Sequence, residues 1–274
     1  MSLAASQGRF MARPAIAWPR LLAPLCTGLG LVLLWELVVR LKGIPPFILP
    51  SPSLVLRTLV NDWPLLSGSL WITLSIALAA LSAAVVVGLL LSLLFAQSRW
   101  VEMSLFPYAV VLQVTPVVAI APLIIIWADN LTVSLLICAW LVAFFPILSN
   151  TTTGLNSADH HLMDLFKLYR ASRWQTLWHL RLPFALPYFL AGLRISGGLA
   201  LIGAVVAEFV AGTGGTASGL AFRIMEAGYN LLIPRMFAAL LLISLCGIVL
   251  FACLSLITHL SLHRWHDSAR HQES

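Results

Sequence analysis

The chain has 274 residues, of which 60% are hydrophobic and 9% charged, against roughly 25% charged in ordinary soluble domains. That balance, with a mean hydropathy of +0.97, excludes a soluble enzyme and a disordered chain and leaves a membrane protein. The net charge of +6 informs by its placement: basic residues mark cytoplasmic loops in polytopic proteins, so it is no argument for nucleic acid.

In chain order, the gaps between charged residues predict six spans, at 21–39, 70–96, 104–127, 131–148, 184–211 and 236–261. An ion at the bilayer centre is costly, and about 20 apolar residues cross the hydrocarbon. The expected fold is an all-α integral membrane protein with six transmembrane helices spanning 21–261. Segment 1–20 precedes the spans and tail 262–274 follows them. The first span reads as a retained helix, too long for the apolar part of a cleaved signal peptide. Residues 45–52, PPFILPSP, predict an extended linker because proline forbids helix interior. The four cysteines lie in apolar stretches without CxxC spacing, which predicts small buried hydrophobes rather than a disulfide or zinc framework.

An even number of spans puts both termini on one side. With that side cytoplasmic, ten Lys and Arg fall inside and five outside, Arg194 lying within a span. Both termini inside is therefore favoured.

The inner loop 157–183 is too long for a simple connection. Leu162, Leu165, Phe166 and Tyr169 repeat at helical spacing, with Asp164, Lys167 and Arg170 on the other side. Ser172 and Gln175 form a capping-box pattern that opens a second helix bearing Trp174, Leu177 and Trp178, with Pro183 as its expected stop. Such a pair suits a DNA-binding helix-turn-helix, a membrane-surface hairpin or a docking element for a cytoplasmic partner. Flanking spans argue against DNA.

Catalytic templates fail. The only lysines, Lys42 and Lys167, lack a Walker A setting, and neither GxSxG nor HExxH occurs. His259, His263 and His266 share helical spacing and read as an interfacial collar rather than a metal site. A path through the membrane has its own candidates. Gly192, Ser196, Ala200, Ala204, Glu208 and Gly212 recur every fourth residue, a small-residue stripe along which another helix can approach. The carboxylate of Glu208 on that stripe must face protein, water or a cation. Pro116, preceded by Gln113 and Thr115, interrupts the third span, and Pro146 with Asn150 marks the fourth; such breaks serve either packing or a polar cavity.

The loop residues Asp164, Leu165 and Phe166, then Arg170, then Leu180 to Pro183, resemble in spacing the Glu-Ala-Ala…Gly…Ile-x-Leu-Pro loop of binding-protein-dependent ABC importer permeases. Arg170 replaces the glycine, and bulky residues replace both alanines. The stretch 170–209, RASRWQTLWHLRLPFALPYFLAGLRISGGLALIGAVVAEF, with LPSPS at 49–53, VVAIAPLIIIW at 117–127 and FFPILSNTTTGL at 144–155, looks like the nitrate, sulfonate, taurine and pyrimidine-precursor subfamily. Departures from that pattern are Ala128 to Asn130, in place of a Phe-Gly turn, and Ile76, in place of an arginine.

The resemblance implies a type I importer permease in the bacterial inner membrane, working without a cofactor or nucleotide site of its own. Its implied partners are ABC ATPase subunits, a periplasmic or lipid-anchored solute-binding protein and a second permease subunit forming a homodimer. It also implies an ATPase-coupling loop carried here by Asp164, Leu165, Phe166, Lys167, Tyr169, Arg170, Ala171, Ser172, Trp174, Leu182 and Pro183. The solute implied is a pyrimidine-type thiamine precursor or a small anion. A proton-coupled secondary transporter is the competing class, and its weakness is the scarcity of mid-membrane charge and the lack of an internal repeat.

Overall fold

A computed structural model describes residues 18–212 and 218–262; segment 1–17, His263, His266 and the rest of the tail lie outside the described residues. The described residues form helices α1 (Trp18–Leu41), α2 (Pro52–Asn61), α3 (Trp63–Gln97), α4 (Arg99–Val114), α5 (Val117–Trp127), α6 (Leu131–Asn156), α7 (His160–Leu168), α8 (Arg173–Thr176), α9 (Leu182–Ala211), α10 (Leu220–Tyr229) and α11 (Ile233–Leu262), with a π-helical turn, Leu177–Arg181, joining α8 to α9. Five stretches are long and apolar enough to cross a bilayer, and α4 with α5 supplies a sixth, bent by 100° between its halves. The predicted interruption of the third span is thus a sharp corner. Thr115 and Pro116 adopt extended backbone there, as proline imposes on the residue before it.

Helices α3, α6 and α9 form the centre. Ala80, Ala84, Ala139, Ala143, Ala200, Ala204 and Ala207 are fully buried, so the helices meet nearly backbone to backbone, as small residues permit. At Gly192 an added Cβ would lie 2.8 Å from the Pro146 carbonyl oxygen and 3.0 Å from Asn150 Cβ, which makes glycine the residue that fits. Helices α1 and α11 pack outside this centre and leave rows of leucines exposed, among them Leu25, Leu29, Leu33, Leu245 and Leu256. In a bilayer such rows meet lipid.

Four expectations are corrected. Of the cysteines expected to be buried, Cys138 is, whereas Cys26 and Cys253 are exposed. Residues 45–52 are not one extended linker: turns occupy 46–48, and Pro52 opens α2 behind the N-cap of Ser51, whose hydroxyl accepts from Leu54 N–H. Proline fits the first helical turn because no bond there needs its N–H. Helices α2 and α10 lay outside the predicted elements. Pro183 does not end the loop helix; Arg173–Ala211 runs continuously for 39 residues. The π turn before it, where Leu182 N–H donates to the Leu177 carbonyl, widens the backbone by one residue and accommodates the proline ring that a regular α-helix rejects.

Candidate coupling surface and membrane route

Helix α7 starts at Asp159, whose carboxylate accepts from His161 N–H at 2.7 Å. It ends in a six-to-one turn: Ala171 N–H donates to the Phe166 carbonyl and Arg170 N–H to that of Lys167, both at 2.9 Å. This is a Schellman closure, which places one residue in the left-handed region. That residue is Arg170, at φ 52°, where the importer loop pattern has its glycine. The arginine therefore holds, at some conformational cost, a left-handed turn that glycine adopts freely. Two residues later the capping box forms as expected, with Gln175 N–H donating to Ser172 Oγ at 3.2 Å and Ser172 N–H to Gln175 Oε1 at 2.7 Å.

The apolar face divides in a way the spacing did not indicate. Phe166 is half-buried, turned with Met163 toward the chain, whereas Leu165, Leu168 and Tyr169 are exposed, the last two at 80%. Leu177 is buried, but Trp174 and Trp178 are both 63% exposed. Lys167 Nζ donates to Asp164 at 2.7 Å and holds that carboxyl below its usual range. Both groups are solvated, so the pair contributes little stability. Behind α7 a cleft of about 420 Å³ is lined by Gln97, Met163, Lys167, Arg173 and Arg181. Arg181 crosses to α3, donating to the Ala96 carbonyl at 2.9 Å; no local signal in the sequence indicated this brace.

The small-residue stripe of α9 packs against α6. Ser196 is fully buried and its hydroxyl donates to the Ala143 carbonyl at 2.6 Å. Asn150 donates to the Pro146 carbonyl at 2.8 Å. Gln113 and Pro116 are exposed at the α4–α5 corner, and Thr115 donates to the Val111 carbonyl at 2.7 Å. The six candidate path residues thus fall into three separate places: the corner, the α6–α9 seam and the far end of α9.

That far end holds Glu208, which is 4% exposed. Ala221 N–H donates to its Oε2 at 3.0 Å, and the preceding Leu220 N–H donates to Thr73 Oγ1 at 2.9 Å. Two spans therefore cap the same short helix, and a carboxylate at a helix N-terminus also meets the favourable end of its dipole. A Cβ on Gly219 would overlap the Glu208 carboxylate. Arg223 continues the brace, with Nε donating to Ser69 Oγ at 3.1 Å and Nη1 to Glu226 at 2.8 Å. Ser69, Thr73, Gly219 and Arg223 were absent from the sequence candidates because their partners lie far away along the chain. At the same end Glu36 of α1 accepts from Ser53 N–H at 3.0 Å and Ser53 Oγ at 2.8 Å, and Asp62 pairs with Arg235 at 2.6 Å.

Comparison with known proteins decides the family. The profile described as the inner membrane component of binding-protein-dependent transport systems matches residues 84–266. The chain belongs to that family. The permease is 38% identical over 256 residues to the riboflavin transport system permease RibX of Chloroflexus aurantiacus, covering 92% of each chain. It is 35% identical to the formylaminopyrimidine transport permease ThiX of Halalkalibacterium halodurans, covering 88% of this chain and 95% of that one. It is 30% identical to the taurine transport permease TauC of Escherichia coli, covering 88% of each. A solved structure described as an amino acid ABC transporter with histidines shares the fold, with a TM-score of 0.62 at 16% identity over 74% of this chain and 97% of that one. The permease is accordingly a multi-pass inner-membrane subunit of an importer for small solutes, and such subunits leave ATP hydrolysis to a partner. Family membership implies ATPase and binding-protein partners, and it sets aside the proton-coupled alternative.

Proposed function

We propose that two copies of this permease form the membrane path of an importer for a nitrogen-heterocyclic vitamin or precursor, of the riboflavin or aminopyrimidine type. The α7–α8 end lies in the cytoplasm with both termini, following the ten-to-five distribution of basic residues, and docks on the ATPase. The opposite end, with α2 and α10, receives the solute-binding protein.

The coupling part of this reading rests on one observation, the uninterrupted 39-residue helix from Arg173 to Ala211. At about 1.5 Å per residue it is nearly 60 Å long. It begins at the capping box beside the exposed Tyr169 and Trp174 and ends near Glu208, which caps α10. Closure of the ATPase pair under ATP displaces α7 and α8, and a stiff helix carries that displacement to α10 without a flexible joint. The substrate class is supported by the order of likeness: 38% and 35% to permeases named for riboflavin and formylaminopyrimidine, against 30% or less for those named for sulfonates, taurine, nitrate and bicarbonate. Reconstitution with the ATPase and binding protein tests it. ATP-dependent uptake of riboflavin or formylaminopyrimidine over taurine and nitrate is the expected result; preference for the anions contradicts it.

A further inference from the structure

Arg194 is a cation set deep within a span. It lies on α9, 17 residues before Ala211 and 12 after Leu182, so it sits roughly mid-depth, too far from either surface for its side chain to reach water along the bilayer normal. Among the described residues no carboxylate pairs with it. The acidic side chains within the spans are engaged elsewhere, Glu36 with Ser53 and Arg40, Glu102 with Asn156, Glu208 with Ala221. The Arg194 guanidinium lies 5.9 Å from the centre of the Phe251 ring on α11. Its Nε is buried with no partner among the described residues, and so is Oγ of Ser255, one turn along α11 from Phe251.

The surroundings give this cation a direction. Gly197 and Leu201 pack on α11, at Leu254 and Gly247. The adjoining strip of α9, Ala191, Ile195, Gly198 and Ile202, is exposed, and nothing lies within 4 Å of where a Cβ on Gly198 would sit. Arg194 borders that strip. A guanidinium facing hydrocarbon at this depth is strongly disfavoured, whereas one stacked on an aromatic ring and bordering a wet cavity keeps its remaining donors hydrated.

We infer that the Ala191–Ile202 strip of α9 faces the water-filled route rather than lipid, and that Arg194 is a solute-contacting residue, donating hydrogen bonds to the carbonyl oxygens or ring nitrogens of the passing molecule. The choice of those acceptors rests on the heterocycle reading above. The fork of planar donors matches such an edge, and the Phe251 ring behind it limits the guanidinium's freedom.

The test uses the whole transporter in liposomes with its ATPase and loaded binding protein, and riboflavin, formylaminopyrimidine and taurine as probes. Arg194→Ala is expected to cut uptake about tenfold or more, with Arg194→Lys intermediate, because an unmet acceptor on the solute is costly. Copurification with the ATPase and the yield of folded permease check that both variants assemble. Gly198→Cys, in a chain whose four native cysteines are replaced, is expected to react with a charged methanethiosulfonate in the nucleotide-free or the ATP-trapped state. That labelling needs no solute and no intact arginine. Normal uptake by Arg194→Ala, or no labelling of Gly198→Cys in either state, overturns the inference. If the parent transporter takes up taurine alone, the heterocycle reading fails, and the effect of Arg194→Ala on taurine uptake still decides the role of the arginine.

Discussion

The two ends of the permease treat most of their polar groups in opposite ways, the bond of Arg181 to Ala96 being the exception at the α7 end. At the α10 end, charges are drawn into bonds between distant segments: Glu208 with Ala221, Arg223 with Ser69, Arg235 with Asp62 and Glu36 with Ser53. At the α7 end, the Lys167–Asp164 pair is solvated, and Leu168, Tyr169 and Trp174 point away from the chain. Internal satisfaction stabilises a shape, whereas exposed aromatic and apolar groups beside charges make a surface suited to a partner. The contrast separates residues expected to govern folding from those expected to govern assembly.

The largest effect is expected where the α10 brace breaks. Gly219→Val forces a branched side chain into the space of the Glu208 carboxyl group and strips that buried group of its bond from Ala221, overpacking and the lost bond together costing about 3 kcal/mol or more. Thermal unfolding of the purified permease should show a clear loss of stability; an unchanged midpoint would show that the cap is dispensable. Next, Tyr169→Ala and Trp174→Ala should each weaken ATPase capture by about 2 kcal/mol, roughly 30-fold, while the permease alone unfolds as before. Phe166→Ala, half-buried against its own chain, should lower permease stability more than either.

Smaller effects sharpen the same contrast. At Arg170, held at φ 52°, glycine should change the stability of the α7 turn little, because relief of strain and added unfolded-state freedom nearly cancel, whereas valine should cost about 1 kcal/mol or more. Hydrogen exchange of α7 amides reads both; equal protection in the two variants would mean the turn is not held in that conformation. Lys167→Ala should be smallest, leaving capture within about twofold, since a solvated pair contributes little.

The sequence made the spans legible because bilayer physics reads composition directly, one window at a time. It also made the Ser172–Gln175 capping box legible, since both bonds close within four residues, and it placed the α9 stripe on a packing seam. Helices α2 and α10 were missed for a physical reason: each is ten residues long, too short to cross a bilayer, carries charge, and is held by packing and bonds to remote segments, Val55, Leu220 and Ile224 sharing one core with Leu66 and Leu242. The Leu220–Thr73 bond closes across 147 residues, and no local pattern encodes it. Pro183 misled because the helix-stop rule assumes a regular α-helix, and the π turn at Leu177–Arg181 suspends it. Glu208 was singled out from its stripe, but its capping of α10 depends on Gly219 and Ala221, which sequence spacing alone does not bring to it.

Site-specific photo-crosslinking from the two ends tests the central claim most directly. With a benzophenone amino acid at Tyr169 or, separately, at Tyr229, which ends α10 and is 82% exposed, the assembled transporter is irradiated and the captured partner identified. Capture of the ATPase from Tyr169 and of the solute-binding protein from Tyr229 is predicted; capture of the ATPase from Tyr229, or its absence from Tyr169, would contradict the assignment of the two ends.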